Sequence, residues 1–249
     1  MRLLSCRIVN ALILAALVAG CASLPPGSDF PKRASTAFAH PEETRLGSVF
    51  DTSARNHPGE SAFRILSVGA DGFAARMQMI DAAQRTLDVQ YFIFTADNTG
   101  LLVTGSLLAA ADRGVHVRIL IDDGSTTAGD EQIQVLAAHP QIEVRIFNPF
   151  AYRGHLQAAR SLEFLFESQR LDYRMHNKLF VADNAAALIG GRNIGDAYLQ
   201  IDTDEQYADD DDFEAGPVAR KLSDNFDEFW NSAFAIPVGA LAGGKPSKA

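Results

Sequence analysis

Apolar side chains occupy both alternating faces of one predicted strand, at residues 86–95, and this pattern constrains the fold most. One face carries Leu87, Val89, Tyr91 and Ile93, and the other carries Phe92 and Phe94. A strand that is apolar on both faces is typical of the centre of a sheet that is covered on both sides. The chain is therefore expected to build layers around this strand.

The sequence around this central strand alternates between strand and helix patterns. Further strands are predicted at residues 63–68, 115–121 and 142–147, and helices begin near Asp71, Thr99 and Glu131. Strands that alternate with helices of this length favour right-handed crossovers. We therefore predict an α/β fold with a mixed, largely parallel β-sheet that is flanked by helices on both faces.

The alternation breaks after residue 148. Residues 150–157 are predicted as a loop and residues 161–169 as a helix, with Leu162, Leu165 and Phe166 pointing inward. Ligand sites in open α/β sheets lie outside the carboxyl ends of the strands, so this insertion can wall a pocket. Pro217 starts a final helix.

The amino terminus is typical of an export signal. Arg2 and Arg7 precede an apolar run at residues 8–18, which is too short to span a bilayer comfortably. Small residues then lead to Cys21, as in a bacterial lipoprotein signal that is cut before a lipidated cysteine. An ordinary signal peptide or an uncleaved anchor, with Cys21 incidental, is the alternative. Ala22 favours the outer membrane, so a lipid anchor on the periplasmic face of the bacterial cell envelope is expected.

This interpretation divides the chain into four parts. Residues 1–20 are the signal peptide, residues 21–61 a tether and loosely packed lead-in, residues 62–238 the folded domain, and residues 239–249 a flexible tail. The chain has two cysteines, one in the signal and one at the lipidation position, so the mature domain has no thiol for a disulfide. The formal net charge of -9 makes nucleic acid an unlikely partner.

Residues 175–198 combine groups that suit a phosphate ester. His176 and Lys178 lie two apart on a predicted strand, so both side chains point to one face. Two glycines then allow a tight turn before Asn193, with Gly191 permitting close backbone approach to a ligand. A nucleophilic base, a cation and an amide donor around one hollow indicate a phosphate-binding site.

The spacing of these residues resembles the signature of the phospholipase D superfamily, H-x-K-x4-D-x6-G-[GS]-x-N. The matching positions are His176, Lys178, Asp183, Gly190, Gly191 and Asn193. The similarity extends over residues 63–238 and is greatest to the first half of bacterial C-type cardiolipin synthases. Segments 88–94, 148–150, 174–180 and 229–232 carry this closer similarity.

The resemblance implies a phospholipid phosphodiesterase or phosphatidyltransferase that forms a phosphohistidine. His176 would be the nucleophile or the acid/base, and Lys178 and Asn193 would bind the substrate phosphate together with Gly191. The family mechanism needs two copies of the motif, and this chain has one. The resemblance therefore implies a homodimer, or a second chain that contains the motif. It implies no metal and no cofactor.

Three acidic residues leave alternatives open. Asp183 belongs to the motif and is a catalytic candidate, although a carboxylate between a strand and a turn more often accepts backbone hydrogen bonds. Asp211, or failing that Asp209, is a candidate to orient His176, and a solvated acidic edge is the alternative. Asp210 and Asp212 depart from the family, which has apolar residues there. An endonuclease with one motif, or an inactive truncated half-enzyme, remains the alternative function.

Overall fold

The computed structural model describes residues 24–124, 130–154, 156–201 and 206–241. The predicted signal peptide, Cys21 and the tail beyond residue 241 lie outside these ranges. In the described ranges, no helix has both the length and the apolar content needed to cross a membrane.

The strands of the described residues form one eight-stranded sheet. They are β1 (Ala62–Leu66), β2 (Thr86–Tyr91), β3 (His116–Asp122), β4 (Ile142–Phe147), β5 (Leu179–Ala182), β6 (Ala186–Gly190), β7 (Asp211–Ala215) and β8 (Ala235–Pro237). Across the sheet their order is β1-β7-β6-β5-β2-β3-β4-β8. The strand that is apolar on both faces, β2, therefore lies in the interior of the sheet, as its sequence predicts.

Helices cover both faces of this sheet. They are α1 (Arg45–Ala54), α2 (Gly69–Ala82), α3 (Asn98–Asp112), α4 (Asp130–Ala137), α5 (Gln157–Phe166), α6 (Ser168–Leu171), α7 (Pro217–Asn231) and α8 (Val238–Leu241). Buried residues of α2, α3 and α4 form one core with one face of the strands. On the other face, Phe226 and Trp230 of α7 pack with Val181 and Ala187. The predicted α/β class, with helices on both faces, is confirmed.

The predicted strand direction needs correction, because most of the pairings are antiparallel. Only the pairs β2–β3 and β3–β4 are parallel among the described strands. Between β5 and β6 the turn contains Asp183 and Asn184, both at φ 54°, and left-handed backbone at both positions suits a tight hairpin. Hydrophobic periodicity carries no information on strand direction. The sequence therefore could not show which strands pair in an antiparallel way and which are joined by parallel crossovers.

Part of the predicted lead-in is docked on the domain. The Trp230 indole Nε1 donates to Ser35 Oγ at 2.9 Å, and the Asp227 carboxylate accepts from the Ala37 N–H at 2.8 Å. The segment at residues 32–37 thus lies against the carboxyl-terminal half of α7. The prediction of a loosely packed lead-in is wrong for this segment. Its sequence has no strong helix or strand pattern, and it is ordered by hydrogen bonds to polar side chains of α7.

Asp183 ties the β5–β6 hairpin to the beginning of β2. Its fully buried carboxylate accepts the backbone N–H groups of Arg85 at 2.7 Å, Thr86 at 2.9 Å and Gln84 at 2.9 Å. Charge-assisted bonds of this kind are stronger than neutral ones. Asp183 therefore fixes the position of β5 against β2, which carries the segment at residues 176–178 to the opposite end of these strands.

We expect the Asp183→Asn substitution to lower the free energy of unfolding by about 1–3 kcal/mol, because the amide nitrogen cannot accept a backbone hydrogen bond. Urea unfolding followed by circular dichroism measures the change. Asp81→Asn, on the exposed side of α2, is the matched control and should stay within about 0.5 kcal/mol of the wild type. Equal stability of all three proteins would contradict the anchoring role.

Candidate active site

The residues of the sequence motif other than Asp183 come together at one end of the strands, which we call the active-site edge of the sheet. Since β5 runs antiparallel to β2, with Leu179 opposite Gln90, the segment before β5 lies beside the carboxyl end of β2. Likewise β6 ends and β7 begins at this edge, where Gly190 pairs with Asp211. The segments around residues 176–178, 190–193 and 209–211 therefore meet at this edge.

His176 and Lys178 lie together against Phe92. The rings of His176 and Phe92 have centroids 4.8 Å apart, and Lys178 Nζ is 5.4 Å from the Phe92 centroid. His176 is exposed, whereas Lys178 is only 7% exposed and donates from Nζ to the His176 carbonyl at 2.7 Å. The structure thus gives the histidine access to solvent and the lysine a fixed place beside it.

The surroundings of this pair shift both pKa values downward. Desolvation and then the charge of Lys178 lower the pKa of His176 below its ordinary 6.5. Desolvation lowers the pKa of Lys178, and the Asp209 carboxylate opposes that shift. Both effects favour the neutral form of the His176 imidazole, which is the form that can act as a nucleophile.

Asn193 is buried at the end of the loop that follows β6. Its Oδ1 accepts the Ile93 N–H at 3.0 Å, which fixes the orientation of the side-chain amide. The acceptor end of the amide is used in this bond, and the NH2 end is the donor that a phosphate oxygen requires. The sequence prediction for Asn193 is compatible with this geometry.

Gly191 allows a close approach within the chain. A Cβ at this position would overlap both carboxylate oxygens of Asp209. The Gly191 N–H donates to the Asp210 carbonyl at 3.1 Å. The absence of a side chain at this position is therefore needed to make room for Asp209, and the contact of Gly191 with phosphate stays a prediction.

Asp211 does not orient His176, contrary to the first-choice prediction. Its buried carboxylate forms two hydrogen bonds with Arg76, at 2.8 and 3.1 Å, and lies 3.5 Å from Arg192 Nη1. Asp209 is exposed and lies at the edge occupied by Lys178. Of the two acidic candidates, only Asp209 thus has its charge directed at the site.

Asp183 lies at the far end of β5 from His176, with its carboxylate against the start of β2. These bonds agree with the structural role that its position between a strand and a turn favours over a catalytic one. The motif spacing could not distinguish the two roles, since an acid that shapes the hairpin and an acid that contacts substrate require the same residue type.

Asp122 is a positioning residue that the motif does not contain. Its Oδ2 accepts the Met175 N–H at 2.8 Å, and its Oδ1 accepts from Arg174 Nη1 at 3.1 Å. Burial raises the pKa of Asp122 to about 6, and the charge of Arg174 opposes the shift. The carboxylate therefore holds the two residues immediately before His176. The signal in the sequence is an acid at the carboxyl end of a predicted strand.

Comparison with known proteins places the chain in a family. Residues 77–230 match the family model described as "Cardiolipin synthase, PLD-like domain". The chain is 42% identical over 194 residues to cardiolipin synthase C of Escherichia coli strain K12, which covers 78% of this chain and 40% of that protein. The chain therefore belongs to the phospholipase D superfamily, in the PLD-like domain family of cardiolipin synthases.

Solved structures support the fold. NucT from Helicobacter pylori matches with a TM-score of 0.53 at 14% identity, covering 72% of this chain and 99% of that one. Nuc from Salmonella typhimurium, described as a phospholipase D family member, matches with a TM-score of 0.50 at 19% identity, covering 72% and 98%. The chain spans about two fifths of the length of cardiolipin synthase C and of two curated relatives from Helicobacter pylori. The resemblance found in the sequence is confirmed.

The two acidic residues that flank Asp210 should respond differently to neutralisation. Asp211→Asn leaves the buried Arg76 and Arg192 without a carboxylate, and we expect it to lower the free energy of unfolding by about 3–5 kcal/mol. Asp209→Asn, on the exposed side, should stay within about 0.5 kcal/mol of the wild type. Urea unfolding of both variants measures the difference, and equal losses would contradict the assignment.

The low pKa of His176 can be measured by NMR titration of the labelled imidazole. We expect a midpoint below 6.5 in the wild type, and a higher midpoint in Lys178→Met, because the variant removes a positive charge that disfavours the imidazolium. The part of the pKa shift that desolvation of His176 causes should remain in this variant. Lys221→Met, at an exposed position on α7, is the control and should leave the midpoint unchanged. The same midpoint in the wild type and in Lys178→Met would show that the charge of Lys178 does not lower the pKa of His176.

Proposed function

We propose that this chain is a phospholipid phosphodiesterase or phosphatidyltransferase that works through a phosphohistidine on His176. The observation that carries the proposal is an exposed histidine beside a buried lysine, at the sheet edge where Asn193 is also fixed. Membership of the cardiolipin synthase domain family supports a phospholipid as the substrate. A relative named cardiolipin synthase C supports the transferase form.

In the first step, a nitrogen of His176 attacks the phosphorus of the phospholipid. The N–P bond forms as the P–O bond to the headgroup alcohol breaks, and an acid gives a proton to the leaving oxygen. Lys178 and Asn193 hold the nonbridging oxygens, where negative charge must be stabilised during the transfer. In the second step, an acceptor hydroxyl loses its proton, attacks phosphorus and releases His176.

The acceptor determines the class of reaction. If water attacks, the product is a phosphatidic acid and the chain is a phospholipase D. If the headgroup hydroxyl of another phospholipid attacks, the product is a cardiolipin-type lipid and the chain is a synthase. Both reactions use the same covalent intermediate, so the residues of the motif serve either.

In this proposal the proton of the first step comes from a second copy of the motif. Asp211 is bound to arginines and Asp183 to backbone, so neither of these carboxylates supplies an acid to a leaving group at His176. We assign the acid/base to the histidine of a second copy, in a homodimer or in another chain that contains the motif. Asp209 is the remaining candidate to orient His176, and its charge helps to keep Lys178 protonated.

The proposal places the domain on a membrane. The apolar run at residues 8–18 and Cys21 support a lipid anchor on the periplasmic face of the outer membrane. An acyl chain keeps the domain next to phospholipid, which raises the effective concentration of substrate at the site.

The test is turnover of phosphatidylglycerol vesicles by the purified chain, with headgroup release and cardiolipin formation measured separately. We expect His176→Asn to reduce both by about a thousandfold or more, because the covalent step is lost. His57→Asn, an exposed histidine outside the site, should retain wild-type rates. Acid-labile label on the wild-type protein from phosphorus-labelled lipid reports the phosphohistidine.

Three results would overturn the proposal. Turnover that survives in His176→Asn would show that His176 is not the nucleophile. Turnover by a species that remains strictly monomeric during the assay would remove the need for a second copy. Cleavage of plasmid DNA without any phospholipid turnover would identify the chain as a nuclease of the same superfamily.

A further inference from the structure

Helix α5 turns its apolar side chains toward solvent. Leu162 is 56% exposed, Leu165 74% and Phe166 82%, and none of the residues of α5 is buried. These three side chains lie three and four residues apart, so they form one stripe, which we call the outer face of α5. The inward orientation that the sequence predicted for them is wrong.

The reason for the outward orientation is that polar groups of α5 are bound to the domain. The Glu163 carboxylate accepts the N–H groups of Ala151 at 2.6 Å and Tyr152 at 2.9 Å, and it lies 3.3 Å from Arg170. Arg160 Nη2 donates to the Asp123 carbonyl at 2.5 Å. With its polar side held in this way, the helix cannot turn the apolar stripe inward.

Helix α5 is attached at the end of the strands where the proposed active site lies. Asp123, which follows β3, accepts the Phe150 N–H at 2.8 Å and pairs with Arg153, so it ties the insertion that carries α5 to this edge. The preceding residue, Asp122, holds Met175 immediately before His176. Two adjacent acidic residues thus connect the bound side of α5, through Arg160, and the segment before His176 to the end of one strand.

We propose that the outer face of α5 inserts into the interfacial region of a phospholipid bilayer and holds the active-site edge against the membrane. This inference rests on the proposed function, because a phospholipid substrate lies in the surface that the helix would enter. A short helix with Leu and Phe on one side and bound polar groups on the other is the form of an interfacial helix.

A lipid surface fits this face better than a second protein does. Three side chains of this exposure present roughly 400 Å² of apolar surface. A standard protein interface takes about 800 Å² from each partner, polar atoms included, and these three side chains alone do not supply that total. Insertion into lipid has no such minimum, since each side chain gains separately from leaving water.

The experiment places a tryptophan on this face. Phe166→Trp is mixed with vesicles of phosphatidylglycerol and phosphatidylcholine, with the phosphatidylcholine brominated high on its acyl chains, and tryptophan quenching is recorded. The wild type is the baseline, because its single tryptophan, Trp230, is fully buried. Phe63→Trp is the matched control, since Phe63 is 68% exposed on β1, at the opposite edge of the sheet.

We expect brominated lipid to reduce the emission of Phe166→Trp by about half, with little change in Phe63→Trp or in the wild type. Since quenching reports the position of one side chain, the result is independent of an acyl anchor on Cys21. Equal quenching in both variants, or none in Phe166→Trp, would overturn the proposal. Cross-links between two copies through α5, without quenching, would identify a protein interface and overturn it too.

A second measurement separates this inference from the proposed chemistry. The double variant Leu165→Ser, Phe166→Ser should turn over short-chain, monomeric phosphatidylglycerol at the wild-type rate, and should lose about tenfold or more on vesicles. An equal rate on vesicles would refute the contact. If the wild type turned over neither lipid, the proposed function would fail, and the quenching would still decide whether α5 enters the bilayer.

Discussion

The antiparallel pairing of β2 with β5 is the interaction on which the rest of the site depends. It places the residues before β5 beside the carboxyl end of β2, so that His176 and Lys178 reach Phe92. The pairing is fixed at its other end by Asp183, whose carboxylate collects the backbone N–H groups that begin β2. An acid that contacts no reacting group can therefore control the chemistry, because a shift of one residue in this register would move His176 to the other face of the sheet.

The acidic run before α7 divides into residues with opposite environments. Asp211 points to the core and balances two buried arginines, whereas Asp209 lies outside and faces Lys178. Of the extra acids, Asp210 is exposed, whereas Asp212 is half-buried on β7 beside Glu214, whose pKa is raised by burial and then by the Asp212 charge. Neighbouring aspartates in this run thus serve folding and electrostatics separately.

The sequence predicted the parts of this structure that depend on local periodicity. The buried position of β2 follows from apolar residues on both of its faces. His176 and Lys178 lie together against Phe92, but both precede β5, so their closeness does not come from the alternation of a strand. Contacts between distant segments were not predictable in the same way. Arg76 binds Asp211, which is 135 positions away in the chain, and no local pattern around either residue indicates the other as its partner.

The direction of α5 shows a further limit of sequence patterns. A stripe of Leu162, Leu165 and Phe166 identifies an amphipathic helix, but the same stripe suits a helix that covers a core and a helix that faces outward. The bonds of Glu163 to the backbone of residues 151 and 152 decide between these two orientations. Such bonds become visible only once the loop before the helix has a defined path.

The docking of the lead-in on α7 limits the length of the free linker between the domain and an anchor at Cys21. The packed part begins earlier still, because Pro25 is buried and Gly27 lies against Ile236 and Ala240, so only the residues before Pro25 are available as a spacer. Fully extended, that spacer reaches at most about 15 Å. A domain anchored in this way would stay close to the membrane that holds the anchor, and could not reach lipids in an opposing bilayer across a wider gap.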